Sequence, residues 1–162
     1  MKISLIAAMS ENRVIGNKGR LPWPHLPNDW DNFFKVTTGR KMIMGRKSYD
    51  TPDRLSSSVG NYVVTRQPDF PMDEGFVRVG SLDEALALCA GEEEVFVIGG
   101  EEIFRQVLPQ AHCIHLTVVH GVFEGDAHFP AFSTTDFQLV SQDAFPADAH
   151  HAYAYSFLVY ER

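Results

Sequence analysis

Asp29 is the residue of this 162-residue chain with the clearest means of doing chemistry. It falls in the first turn of a helical pattern whose apolar face recurs at Phe33, Val36 and Thr37, four, seven and eight positions on. A carboxylate on such a face has two readings. It is an N-terminal helix acid favoured by the helix dipole, as Asp31 is one step round, or a partly buried acceptor. In the second case both oxygens can take hydrogen bonds from an amidine-like or aminopyrimidine edge. Spacing leaves both open.

Strand ends supply a second chemistry. Gly99-Gly100 follows an apolar run and opens a helical pattern, the arrangement that brings free backbone amides to a phosphate. Glu101 and Glu102, directly behind, satisfy the helix dipole but would repel such an anion. Gly45-Arg46-Lys47-Ser48 stands at another strand-to-helix junction, and Thr65-Arg66 ends a third strand run. Each base alone reads as a solvated surface charge, whereas the three strand ends together offer hydroxyls, amides and cations to one polyanion. Residues 13–29 form a long loop with three Pro, two Gly and a Trp. Loops of this length are functional lids or disordered segments, and apolar Leu21 and Trp23 favour the lid over a plain connection.

These groups need a scaffold, and the periodicity supplies one. Short apolar, β-branched runs at 3–9, 41–44, 61–65, 75–79, 95–98 and 114–119 read as buried strands. Helical patterns lie between them at 28–37, 46–51, 81–90 and 101–107, the third opened by a capping box of Ser81 and Glu84. Alternation of this kind predicts right-handed crossovers and an α/β fold: a mixed, mainly parallel sheet with helices on both faces and ligands beyond the carboxyl ends of the strands. Segments 137–144 and 152–160 follow each other without a helix, which predicts a C-terminal antiparallel hairpin at one sheet edge. No repeat or linker divides the chain, so residues 1–162 are expected to form one domain.

Composition excludes several classes. Hydrophobic residues make up 44% and charged residues 22%, ordinary for a soluble folded protein, and the apolar run at 3–9 is far too short to span a bilayer. The formal net charge of -7 argues against coating nucleic acid or an anionic membrane. Its distribution is uneven: residues 1–78 hold 12 Lys and Arg against 8 acids, and residues 79–162 hold 2 against 13. A polyanionic ligand is expected on the first half. Two cysteines, Cys89 and Cys113, without a targeting signal or metal-ligand spacing suggest free thiols in a reducing compartment, and no metal site is expected.

The ordered motifs carry a resemblance. Ile-Ala-Ala at 6–8, Arg-Val-Ile-Gly at 13–16, Leu-Pro-Trp at 21–23, Leu-Pro-Asn-Asp at 26–29, Met-Gly-Arg-Lys-Ser at 44–48, Val-Ile-Gly-Gly at 97–100, Leu-Thr at 116–117 and Glu-Gly-Asp-Ala-His-Phe-Pro at 124–130 occur in that order. With them the chain resembles dihydrofolate reductase of the bacterial type, from Ile3 to Arg162. The resemblance implies that Asp29 holds the pterin ring with Thr117 bonded to its carboxylate. Ile6, Ala8, Trp30, Phe33 and Ile98 would surround that ring. It implies NADPH across the sheet ends, with nicotinamide near Ala8, Ile15 and Gly16, Phe104 beside it in place of a Tyr, and Ile103 among the cofactor-binding residues. Its pyrophosphate would lie over Lys47, Ser48, Gly99 and Gly100, and its 2'-phosphate near Arg46, Thr65 and Arg66. Leu21 and Trp23 would belong to a closing loop, braced by the segment around Asp126. The implied reaction moves a hydride from NADPH to C6 of 7,8-dihydrofolate with a proton to N5, in a cytoplasmic monomer with small-molecule partners only.

Departures from the family pattern are specific. Where many members carry an Arg that clamps the substrate's glutamyl tail, counting back from Asn61 reaches Val59, and Arg54 is the nearest replacement. Phe104 replaces a frequent Tyr, and Glu102 stands where some members place an Arg. Two alternatives follow: a reductase of another dihydropterin or pyrimidine, against which the Leu-Pro-Trp loop and Asp29 argue, and a weakly catalytic folate- or nucleotide-binding protein.

Overall fold

Continuous burial along the central strands builds two cores, one on each face of one sheet. The computed structural model describes residues 1–162, with strands β1 (Lys2–Ser10), β2 (Val14–Gly16), β3 (Lys41–Gly45), β4 (Asn61–Val64), β5 (Phe76–Val79), β6 (Glu94–Val97), β7 (Cys113–Val119), β8 (Ala127–His128), β9 (Gln138–Phe145) and β10 (Tyr155–Glu161). Helices α1 (Pro27–Thr37), α2 (Arg46–Tyr49), α3 (Leu82–Leu88) and α4 (Glu101–Val107) lie between them. Eight strands form one sheet in the order β5-β4-β3-β6-β1-β7-β10-β9, in which β10 alone runs opposite to the other seven. This is the mixed, mainly parallel sheet with a C-terminal hairpin that the sequence pattern predicts.

Period-two alternation sends successive side chains to opposite faces. Leu5, Ile43, Val95 and Val97 pack with Leu82, Ala85, Ile103 and Val107 of α3 and α4. Ile6, Met42, Met44 and Phe96 pack on the other side with Phe33 of α1 and Tyr49 of α2. Helices therefore cover both faces. The Ser81 side chain accepts from the Glu84 amide at 3.1 Å, capping α3 for about 1 kcal/mol, while the Glu84 carboxylate reaches one residue further back, to the amide of Gly80 at 2.7 Å.

Several boundaries depart from the sequence pattern, among them the end of α3 at Leu88 rather than residue 90. Within the long loop at 13–29, Val14–Gly16 forms β2 and pairs antiparallel with Ala127–His128 of β8. Gly125 makes this strap close-fitting, because a Cβ there would stand 2.6 Å from the Gly16 carbonyl oxygen. The second hairpin strand begins at Tyr155 rather than at residue 152, since the turn before it is folded on a bridge between Asp148 and His151. Helix α2 is shorter than 46–51, ending at Tyr49.

Candidate active site

Helix α1 and strand β7 bring together the acid and its partner. Pro27 opens the helix, which places Asp29 in its first turn, and the Ala8–Thr117 register of β1 and β7 sets Thr117 opposite. Thr117 Oγ1 donates to Asp29 Oδ1 at 2.7 Å, and Oδ2 has no protein hydrogen bond. Burial raises the Asp29 pKa above the ordinary carboxylate value, while the Thr117 bond and the nearby His25 pull it back. Of the two readings of this acid, the geometry therefore favours the buried acceptor over the exposed helix-end charge.

Asp29 and Thr117 line one end of a cleft of about 1750 Å³, well beyond the roughly 300–1000 Å³ that usually holds one small molecule. Space of that size accommodates two ligands together. Ile6, Ala8, Trp30, Phe33 and Ile98 line it around the acid, and Val36 and Leu55 complete the apolar wall. Leu55 is half-buried, in a loop whose sequence has no period to mark it.

At the other end the β3–α2 and β6–α4 junctions touch through backbone. The Gly45 amide donates to the Gly99 carbonyl at 2.7 Å. A Cβ on Gly45 would meet Ile103 at 3.0 Å, and one on Gly99 would meet Ser48 Oγ at 3.2 Å and the Phe104 ring at 3.4 Å. Gly99 also has a φ of +125°, a conformation that L side chains rarely adopt. The two junctions therefore approach this closely only because glycines stand at 45 and 99. Arg46, Lys47 and Arg66 line this end with Lys18 and Arg20, and none of the five forms an ion pair. Unpaired cations beside Ser48 and Thr65 hydroxyls fit a phosphate-bearing ligand.

The acids behind the diglycine are turned to protein partners. Glu101 accepts from the His128 amide at 2.8 Å through one oxygen and from Arg105 at 2.6 Å through the other. Glu102 is bonded to Arg105 at 3.1 Å and Gln106 at 3.3 Å. The two carboxylates share Arg105, which offsets one of their charges, and Glu101 ties α4 to β8.

Ile15, Gly16 and Leu21 line the cleft from the long loop, with Leu21 42% exposed at its rim. The loop is held at its tip by a tight turn between Asn17 and Arg20, with Gly19 at φ +79°, and Asp126 Oδ2 accepts from the Lys18 amide at 3.2 Å. Trp23 stands apart. It is buried among Leu26, Val119 and Phe123, with ring centroids 5.7 Å from Phe123, and does not line the cleft. Its apolar bulk anchors the base of the loop.

Arg54 also lies outside the main cleft, in an adjoining recess of about 420 Å³ shared with Trp30, Thr51, Pro52, Asp53 and Ser56. Its guanidinium sits over the Tyr49 ring at 3.9 Å and the Phe76 ring at 4.9 Å, with Nη1 donating to Asp73 at 2.8 Å. Nε is buried without a partner. Val59 is 48% exposed.

A family model described as Dihydrofolate reductase matches residues 2–162. The dihydrofolate reductase of Bacillus subtilis (strain 168) is 43% identical over 160 residues, covering 99% of this chain and 94% of that protein. Dihydrofolate reductase type 3 of Salmonella typhimurium is 38% identical over 162 residues, covering 100% of this chain and 99% of that protein. A solved structure, dihydrofolate reductase from Enterococcus faecalis complexed with NADP(H) and RAB-propyl, matches with a TM-score of 0.87 at 30% identity, over 99% of this chain and 96% of that one. The match extends through the helix that carries the acid and through every strand end that lines the cleft, and by it the chain belongs to the dihydrofolate reductase family.

Proposed function

We propose that this chain carries out its family's reaction, the NADPH-dependent reduction of 7,8-dihydrofolate to 5,6,7,8-tetrahydrofolate, with the pterin at Asp29 and the cofactor along the basic strand ends. The carrying observation is the pairing of Asp29 with Thr117 at one end of a cleft whose other end holds unpaired cations.

Asp29 has one oxygen fixed by Thr117 and one free, so an aminopyrimidine edge gains a bidentate partner without reorganising the protein. Ile6, Phe33 and Ile98 exclude water from the ring faces. Ser48, Gly99 and Gly100 would hold the pyrophosphate with Lys47. Arg46, Thr65 and Arg66 would hold the 2'-phosphate, and Ala8, Ile15, Gly16, Ile103 and Phe104 would border the nicotinamide. NADPH, when bound, supplies the hydride that reduces C6. The protein's own part is to hold two rings in register and to admit one proton to N5. Asp29 binds the far edge of the pterin, so that proton comes from a water that the Leu21 loop admits and then closes upon. Arg54 is the cation closest at hand for the glutamyl tail, through the recess that Trp30 and Pro52 share with the main cleft.

The same reading makes the chain a single domain over residues 1–162, working as a monomer in the cytoplasm with small-molecule partners and neither nucleic acid nor membrane. Buried free thiols at Cys89 and Cys113, the second with its pKa raised to about 11 by burial, suit a reducing compartment. No helix is long and apolar enough to cross a membrane.

The test is the loss of NADPH absorbance on adding dihydrofolate, run beside a dihydropterin that lacks the glutamate. Turnover of dihydrofolate is expected. Oxidation of NADPH by neither compound would overturn the reading.

A further inference from the structure

Helix α1, which carries Asp29, begins without a side-chain cap. Its N-cap residue is Leu26, which has no acceptor, and Pro27 has no N–H to satisfy. The amides of Asp29 and Trp30 already bond to the Leu26 carbonyl, at 3.0 and 3.3 Å. Only the Asn28 amide is left over from the first turn. It is taken from 123 residues away: His151 Nε2 accepts from it at 3.1 Å.

His151 is built to do this. It is 7% exposed and lies in the turn between β9 and β10, with Nδ1 2.8 Å from Asp148 Oδ1. Because Nε2 accepts, Nδ1 carries the hydrogen and donates to Asp148, so the carboxylate fixes both tautomer and ring orientation. That bond is the largest of the influences that lower the Asp148 pKa. The Tyr155 ring packs against the imidazole at 5.1 Å, and Asn28 Nδ2 donates to the Tyr155 hydroxyl at 2.8 Å. Two links therefore join this turn to Asn28, the residue immediately before Asp29.

The same hairpin holds the other half of the site. Strand β10 pairs with β7 so that Phe157 lies opposite Thr117 and Tyr155 opposite Val119. Thr117 is thus indexed by β10 through the sheet, and Asp29 is indexed by the turn leading into β10 through Asn28. We propose that His151 is a positioning residue for the reaction, one that with Asp148 sets the separation between Asp29 and Thr117. The inference rests on Asp29 as the pterin's partner.

The test compares His151→Ala with His151→Gln in the full chain, the glutamine amide oxygen being able to accept from Asn28. Three measurements are made: the carboxyl titration of Asp29 by NMR without ligands, the KM values for dihydrofolate and NADPH, and the melting temperature. His151→Ala is expected to shift the Asp29 titration and to lower kcat/KM for dihydrofolate by about tenfold, within the range that small misplacements cost. The KM for NADPH stays unchanged, and His151→Gln restores most of the loss. A melting temperature lower by about 2 to 4 °C with no change in the Asp29 titration would show a simple helix cap and overturn the inference. A shifted titration with unaltered kinetics would support positioning by His151 and instead overturn the role assigned to Asp29. Should His151→Ala fail to fold, Asp148→Asn keeps the imidazole while weakening its hold. It is expected to move the Asp29 titration in the same direction by a smaller amount, and no movement there would overturn the inference.

Discussion

The Arg54 guanidinium lies 3.9 Å from the centroid of the Tyr49 ring, and the Tyr49 hydroxyl in turn accepts from the amide of Asp73, the residue whose carboxylate holds Arg54 Nη1. Arg54 is therefore locked in place from two sides while its buried Nε remains unpaired. Such a fork is preorganised but already shared with an internal anion, so a substrate carboxylate must compete with Asp73.

If Arg54 receives the glutamyl tail, removing it forfeits a charge-assisted contact worth roughly 1.5 to 3 kcal/mol, or about tenfold to a hundredfold in affinity. Arg54→Ala should weaken dihydrofolate by that factor and leave a tail-free dihydropterin unchanged. Asp73→Asn should strengthen dihydrofolate alone. Competition binding with the two compounds decides. Equal losses for both would mean that Arg54 only braces the wall.

Asp29→Asn should separate activity from stability. Loss of the charge should lower turnover by roughly a hundredfold or more, with NADPH binding retained. Burial raises the folded-state pKa of Asp29, so between the unfolded value near 3.8 and that raised value the folded state holds the extra proton. Stability then falls as pH rises through this window and stays lowered above it. The asparagine variant lacks this penalty, so it should melt higher than the parent at neutral pH, and the difference should vanish below about pH 4. Thermal melts across pH check the sign.

The unpaired cations should choose the cofactor. Arg46 and Arg66 together should favour NADPH over NADH, and replacing both with alanine should raise the KM for NADPH by about a hundredfold with little effect on NADH. Exposed charges are screened by salt, so the preference should shrink between about 0.05 and 0.5 M. Steady-state rates with both cofactors at the two salt levels measure it.

Gly99→Ala should damage the β6–α4 junction. The positive φ and the 3.2 Å approach to Ser48 Oγ leave a methyl group both strained and crowded. A stability loss of about 1 to 3 kcal/mol is expected from the backbone alone. Fluorescence titration should show weakened NADPH binding, and an unchanged affinity would remove Gly99 from the pyrophosphate site.

The strands and the acid were legible because each leaves a local trace. The continuous apolar run at Met42–Met44 marks a strand buried on both faces, Ser81 and Glu84 announce α3, and Asp29 interrupts an apolar face. What stayed hidden has no such trace. Ala127–His128 is too short for any period, and it becomes a strand only because Val14–Gly16 arrives beside it. The Arg54 guanidinium is held by Tyr49, Asp73 and Phe76, which nothing in their spacing connects. Trp23 read as a lid residue from its apolar loop, yet the fold turns it inward against Phe123. His151 read as an unremarked part of a hairpin loop, and its partner is the first free amide of a helix near the other end of the chain.

The antiparallel strand β10 also carries a consequence for the order of assembly. Strand β7 is flanked by β1, made early in synthesis, and by β10, made long after it. During vectorial synthesis Thr117 waits on a bare strand edge until residues 155–161 emerge. The folate end of the cleft is therefore the last part of the molecule to mature, whereas the glycine-lined end draws on β3, β4 and β6 and can be complete earlier. A nascent chain would then gain a place for the dinucleotide before it gains one for the pterin, and dinucleotide binding could favour the partly assembled sheet over its unfolded competitors.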